Sequence, residues 1–295
     1  MRKYLPFFFF ICLLVAMRYS QSISLVSQEV FAAFSFSLLP SLAPTMLLDY
    51  LFIHADGLFY LHQAIEKRTK KWHISFYPIL ILILGLLSGT PTLASYIEDS
   101  IQKGSFSKEE GEHMLGCFML PSLPFLCGVI LPCWEKKYQW LLLFFLYVPA
   151  TVLFLLKKRK TKTNQTKSCL QLSQEKNIIE KAITSTAKTL LLLLGSILLF
   201  SIPVAFFKMF FQEYTSYALL GIFEFTSFSL YMSAHPSSLS FILLTTLLSF
   251  SSFSVFVQIS LLCPSVSIKK VMKKRIFLTF ITMIGLLFSY LLHII

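Results

Sequence analysis

Tyr138–Leu156 is a nearly uninterrupted apolar run of 19 residues. As a helix it is long enough to approach the roughly 30 Å width of a bilayer's hydrocarbon core. It is one of a series. Further apolar blocks cover residues 5–17, 24–53, 74–94, 114–130, 189–207, 217–232, 239–263 and 276–295. In hydrocarbon every backbone N–H and C=O must find a partner within the protein, which strongly favours helices. The blocks therefore predict an all-α, polytopic transmembrane bundle whose main surroundings are lipid. Composition agrees: 56% of residues are hydrophobic and 14% charged, against about 25% charged in a soluble domain.

The formal charge of +12 does not point to nucleic acid, because the cations lie in short stretches between apolar blocks. They form three clusters: Lys67, Arg68, Lys70 and Lys71; nine Lys/Arg within 157–188; and Lys269, Lys270, Lys273, Lys274 and Arg275. By the positive-inside tendency all three belong on the cytoplasmic side. Asn164-Gln165-Thr166 reads as a glycosylation acceptor, but the basic cluster around it argues against use. Arg2-Lys3 before Leu5–Met17 resembles a signal-peptide start. No clear cleavage site follows, which predicts a retained signal-anchor helix over 1–23 with a cytoplasmic N-terminus.

Counting every later block as a full crossing places 157–188 outside, against its charge. Parity is restored if residues 74–94 and 239–263 each enter the membrane and return to the same side. Arms of about 10 residues would reach roughly 15 Å, the middle of the core. The resulting organisation is a first repeat at 24–156, a basic cytoplasmic linker at 157–188 and a second repeat at 189–295. In this count the repeats are parallel, whereas many transporters use inverted ones; the sequence leaves both orientations open. Pro40 and Pro44 in the first correspond to the Glu224 region in the second, and the Ser88 break to the Ser251 break.

The breaks carry the functional reading. In Leu86–Ala94, Gly89 loosens the helix, and Pro91 lacks an N–H and clashes with the carbonyl of Leu87. A structural kink is one outcome. An opened helix that presents backbone groups to a solute is the other, a recurrent device of secondary transporters. Ser107-Lys108-Glu109-Glu110 predicts a capping box that starts the next helix, which Pro121-Ser122-Leu123-Pro124 then interrupts. Glu224 is the only charged residue between Glu213 and Lys269. An intramembrane carboxylate is costly and by default functional, so Glu224 is the candidate for coupling to a proton or cation. The candidate substrate-binding residues are Ser88, Gly89, Thr90 and Pro91 at the first break, and Ser122 and Pro124 at the interruption. Thr226 and Ser227 beside Glu224, and Ser251, Ser252, Ser254 and Gln258 at the second break, complete them. Helix N-termini with hydroxyls suit a small anionic or heteroaromatic solute.

No nucleophile–base pair, phosphate loop or metal-ligand spacing stands out, so neither an enzyme nor a cofactor or metal is expected. The six cysteines, at 12, 117, 127, 133, 169 and 263, form no CxxC pair and read as small buried hydrophobes. His54, His73 and His235 fall near segment ends.

Five motifs resemble, in order, those of the YlbJ/SpoVV-type sporulation integral membrane proteins, which carry nucleoside-recognition (Gate) domains. Leu87-Ser88-Gly89-Thr90-Pro91 is similar to the family's S-G-[YF]-P-x-G. Ser107–Glu112 is similar to S-K-E-E-A-E-R-L, and Ser122-Leu123-Pro124-Phe125 to the end of N-x-S-x-P-L-F. Gly221–Ser227 resembles G-x-x-E-x-T-N-G, and Phe250–Gln258 resembles F-G-G-L-S-V-H-x-Q. The resemblance covers about residues 30–295. It implies a sporulation role in which dipicolinic acid crosses the outer membrane around the developing spore. The chain departs from the pattern at Leu120 and Ser227, where the family has Asn. It also departs at Ser251 and Ser252, where the family has paired Gly, and at Phe256, where it has His. Leu93 and Ser95 replace a glycine and a basic residue. These changes open a second reading, a non-transporting membrane scaffold derived from the family.

Overall fold

The computed structural model of the protein describes residues 5–58, 60, 61, 63, 64, 77–156, 177–293 and 295. The first basic cluster, His73, Cys169, Asn164-Gln165-Thr166 and most of the 157–188 linker lie outside the described residues. Those described form helices and turns without strands. Five helical stretches are long and apolar enough to cross a membrane: Ser20–His54, Lys108–Cys133, Lys136–Leu156, Ile178–Phe210 and Ser238–Leu262.

Helix α1 (Leu5–Arg18) precedes α2 (Ser20–Ala33), which runs through a π-turn at Phe34–Leu38 into α3 (Leu39–His54). Pro40 and Pro44 were expected to disrupt this segment. They do not end it: Pro40 falls in the first turn of α3, just after the π-turn, where its missing N–H costs little, and the helix continues through Pro44 to His54.

A helical hairpin follows. Its arms are α4 (Tyr77–Ser88) and α5 (Thr90–Gln102), joined at Gly89. The arms run antiparallel along their length. Near the tip, a Cβ on Gly85 would lie 2.6 Å from the Cβ of Leu93. At the open end, the Tyr77 hydroxyl meets Ser100 Oγ at 3.2 Å. Twelve residues make α4 about 18 Å long. The return arm extends to Gln102, well beyond the expected Ala94.

Helix α6 (Lys108–Phe118) opens with the predicted capping box. Glu110 N donates to Ser107 Oγ at 3.2 Å, and Ser107 N donates to the Glu110 carboxylate at 2.8 Å. After an interruption at 119–122 the chain continues through α7 (Leu123–Phe125) and two tighter or wider turns to Cys133. Helix α8 (Lys136–Leu156) then runs back. Helix α9 (Ile178–Phe210) starts well before residue 189, so the end of the expected linker is helical.

A second hairpin follows α9, and it corrects the sequence reading. Residues 217–232 read in sequence as a segment that spans or nearly so. Instead α10 (Glu213–Phe223) and α11 (Phe225–Ala234) fold back at Glu224, and the rings of Tyr217 and Tyr231 stack 3.9 Å apart. Here too a glycine lets the arms touch: a Cβ on Gly221 would meet the Phe228 ring at 2.7 Å. The hairpin expected over 239–263 does not form. Helices α12 (Ser238–Phe250) and α13 (Ser252–Leu262) make one broken 25-residue stretch, and α14 (Ile268–Leu291) closes the described chain.

Contacts fix which ends lie together. At one end, Glu98 accepts from Ser265 N at 3.1 Å, Glu112 accepts from Ser267 N at 3.2 Å and pairs with Lys270 at 3.0 Å, and His113 stacks on Phe154. At the other, Trp134 and Tyr138 pack on Phe241, Trp134 donates to Ser233, and Tyr214 meets Ser240. Helices α3 and α9 are antiparallel partners, joined by Tyr50–Thr189 at 3.2 Å and, through α2, by Ser27–Ser201 at 3.0 Å. The first hairpin thus opens toward the Glu98–Glu112 end and the second toward the Trp134 end. The broken stretches 108–133 and 238–262 run in opposite directions. These directions differ from those of the parallel count, and the position of the Glu224 hairpin, between α9 and the broken stretch 238–262, is that of the Gly89 hairpin between α3 and the broken stretch 108–133.

Side-chain polarity is sorted as a lipid-embedded bundle requires. Trp140, Leu155, Leu191, Phe210 and Phe288 face outward, whereas Ser196, Ser201, Ser249, Thr245 and Thr282 are buried. An outer surface this apolar needs lipid or protein against it.

Candidate functional site

Three helix interruptions, at Gly89, before Ser122 and at Ser251–Ser252, meet inside the bundle, and Phe225, next to the Glu224 break, borders them. Gly89 has φ 96° and ψ 172°, a region reserved for glycine. It releases α4 and starts α5, with Pro91 in the first turn, where a missing N–H costs nothing. Pro91 therefore begins a helix and does not kink one. Ser122 caps α7 by accepting from Phe125 N at 3.3 Å, and Pro124 again occupies a first turn. Ser251 and Ser252 both adopt left-handed backbone, φ 80° and 67°, and separate α12 from α13. Cross-links join the pieces: Thr90 Oγ1 donates to the Leu120 carbonyl at 2.9 Å, and Ser251 Oγ donates to the Met119 carbonyl.

A cavity of about 40 Å³ lies between them, lined by Gly89, Thr90, Pro91, Leu120, Pro121 and Ser122 from one half and by Phe225, Leu248, Ser251, Val255 and Gln258 from the other. Leu38, Leu42, Leu193 and Ile197 complete its apolar wall. Three helices, α5, α7 and α13, begin at this cavity. The first N–H groups of a helix lack intrahelical partners and carry the positive end of its dipole. Gln258 is oriented by its own bond, Nε2 to Ser196 Oγ at 2.6 Å.

Of the candidate residues, Gly89, Thr90, Pro91, Ser122, Ser251 and Gln258 therefore share one cavity. Ser88, Pro124, Thr226, Ser227, Ser252 and Ser254 do not line it. Ser88 donates to Asp49, and the Ser252 and Ser254 hydroxyls are paired at 3.0 Å. Glu224 is buried behind Phe225. Its two oxygens accept from Thr226 N at 2.6 Å and Ser227 N at 2.8 Å, which caps α11. Neither oxygen reaches the cavity.

Two charged residues escaped the sequence reading. Arg275 continues the basic run Lys269–Lys274 in sequence, yet it is fully buried. Its guanidinium donates to the Cys117 carbonyl at 3.0 Å and to the Ser249 carbonyl. Those carbonyls belong to the last turns of α6 and α12, the negative ends of two interrupted helices. The signal was present as a stripe of Val271, Arg275, Leu278, Thr282 and Leu286, all buried on one face. Asp49, on α3, is also buried and holds the hairpin tip through Ser88.

Among the described residues no cluster of His, Cys, Asp and Glu is arranged to hold a metal ion. No family model matches the chain, and no curated protein or solved structure is significantly similar to it.

Proposed function

We propose that this chain is a secondary transporter of a small anionic solute, built from two inverted repeats at about 20–156 and 178–291. Each repeat is a long helix, a re-entrant hairpin, a broken span and a closing helix. The observation that carries the reading is the convergence of interruptions from both halves on one cavity, with the N-termini of α5 and α13 at its wall. Interrupted helices meeting at mid-depth are the architecture of secondary carriers. N-terminal dipole ends select an anion, and Arg275 adds a buried positive charge nearby while neutralising the opposite helix ends.

The inverted count also answers the charge parity. A retained N-terminal helix, two hairpins opening on opposite sides and the broken spans put the third basic cluster, and the described residues that flank the other two, at the Glu98–Glu112 end. That end is the cytoplasmic one. The membrane is the bacterial cell membrane. The resemblance to the YlbJ/SpoVV-type proteins makes dipicolinic acid, across the outer forespore membrane, the first solute to test, with a nucleoside second. A cavity of about 40 Å³ is far below the roughly 300–1,000 Å³ of a small-molecule pocket, so this conformation is closed and the hairpin tips must part to admit solute. The same small volume, with Leu120 on its wall, supports the scaffold reading.

The experiment is uptake of labelled dipicolinate and labelled uridine into vesicles containing the purified full-length protein. Saturable dipicolinate uptake, inhibited by other planar dianions and reduced at least tenfold by Gly89→Ala, is expected. Correctly inserted protein that moves neither solute, in either direction and with any imposed gradient, favours the scaffold.

A further inference from the structure

Asp49 is 6% exposed and lies on α3 against the tip of the first hairpin. Its Oδ2 accepts from the Ser88 hydroxyl. Its Oδ1 is buried with no hydrogen-bond partner, and so is the hydroxyl of Tyr96 on α5. That hydroxyl is a close neighbour of the same carboxylate, without the geometry of a full hydrogen bond to it. The other titratable neighbour is Tyr50, on Asp49's own helix, whose ring meets Tyr96 edge-on and whose hydroxyl is engaged by Thr189 of α9. Among the described residues no cation pairs with Asp49.

An ionised carboxylate at membrane depth with one oxygen unsatisfied is held at a cost. One O–H at a time fits between two facing oxygens: the phenol's when Asp49 is ionised, and the carboxyl's, with the phenol O–H turned aside, when Asp49 is protonated. We propose that Asp49, tethered to the hairpin tip by Ser88 and faced by Tyr96, is the proton-binding site that couples solute movement to the proton gradient. This rests on the carrier reading above and names its coupling ion.

The step balances simply. A proton from water forms an O–H bond at Oδ1, the carboxylate becomes a neutral carboxyl, and the new O–H donates to the Tyr96 oxygen. On release that bond breaks, the proton returns to water on the other side, and the Tyr96 O–H turns to donate to the ionised carboxylate. Ser88 donates to Oδ2 throughout. Glu224 is the poorer site, because protonating either of its oxygens sacrifices a cap bond to α11. Neutralising Asp49 weakens the charge-assisted Ser88 contact, which is the link between α3 and the tip that must move. A proton entering with an anion also lowers the charge carried through the bundle.

The test is infrared difference spectroscopy on the full-length protein in vesicles as pH is stepped, with sodium replaced by choline. The expected result is a carboxylic C=O band that appears on acidification, vanishes in Asp49→Asn, survives in Glu224→Gln and shifts in frequency in Tyr96→Phe. Persistence of the band in a folded Asp49→Asn variant, or its loss in Glu224→Gln alone, overturns the proposal. A band that responds to sodium at fixed pH and not to acid also overturns it, in favour of a metal cation. Labelled dipicolinate then separates coupling from carriage. Asp49→Asn should keep dipicolinate exchange within a factor of about three of wild type and lose pH-driven accumulation at least tenfold. Unchanged accumulation overturns the coupling role. Absence of exchange in the wild type rejects the carrier reading for this solute, while the band alone decides proton binding.

Discussion

Arg275 Nη1 donates to the carbonyl oxygen of Cys117 at 3.0 Å, so a cation on the last helix closes the interrupted end of α6. The same guanidinium closes the end of α12 at Ser249. One residue thus satisfies acceptors on two helices that stop inside the bundle, and no carboxylate offsets it among the described residues. Arg275→Ala leaves two buried carbonyls unsatisfied, at roughly 1–3 kcal/mol each. Arg275→Lys keeps the charge but loses the fork that spans both acceptors. Thermal unfolding in detergent should rank wild type above Arg275→Lys and Arg275→Lys above Arg275→Ala. Equal midpoints for the three would show that the guanidinium does not hold the two ends.

A second prediction concerns strain at the α12–α13 break. Ser251 and Ser252 both hold positive φ, which costs a non-glycine residue roughly 1–2 kcal/mol. Ser251 recovers part of this through its bond to the Met119 carbonyl, whereas Ser252 reaches only Ser254. Ser252→Gly should therefore stabilise by about 1 kcal/mol after the lost hydroxyl contact, and Ser251→Gly by less. Calorimetry on the two variants measures the difference, and a lower midpoint for Ser252→Gly would contradict the strain assignment.

Local signals were legible where one residue's chemistry decides the backbone. The Ser107–Glu110 box and the Gly89 break occur where the sequence places them, and the interruption read at Pro121–Pro124 falls slightly earlier, at 119–122, with Pro124 already in a helix. The hairpin at Glu224 was not legible, because 217–232 is apolar enough to pass for a span and a carboxylate that caps α11 looks the same in sequence as one that binds an ion. Moving one hairpin from 239–263 to 213–234 leaves the charge parity intact, so the basic clusters could not tell the two apart. Arg275 was hidden by Lys269–Lys274, and Asp49 by its place near the end of a long apolar block. Their burial comes from neighbouring helices; the stripe from Val271 to Leu286 marks it for Arg275, whereas no local pattern encodes it for Asp49.

The glycines at matching places in the hairpins give a third prediction. Gly85 admits Leu93 in the first, and Gly221 admits Phe228 in the second. A side chain at either position collides with the opposite arm, and overpacking of this kind costs roughly 1–3 kcal/mol. Gly85→Ala and Gly221→Ala should each lower the unfolding midpoint, and Leu93→Ala should rescue only the first. Rescue of Gly221→Ala by Leu93→Ala would mean that the glycines act through something other than arm contact.

The orientation of the second hairpin separates the inverted arrangement from the sequence count most directly. Lys103 follows α5 and Pro236 precedes α12, and both are exposed. The count that folds 239–263 back puts positions 103 and 236 on the same, cytoplasmic side. The observed contacts put them at opposite ends, because Ser100 lies beside Tyr77, whereas His235 lies beside Ser240 and Tyr214 at the Trp134 end. In a background with the six native cysteines replaced, Pro236→Cys should react with a membrane-impermeant maleimide in intact cells, and Lys103→Cys only after permeabilisation. Protection of both positions until permeabilisation would restore a parallel arrangement. With it would go the opposed broken spans, whose helix ends the cavity needs from both directions.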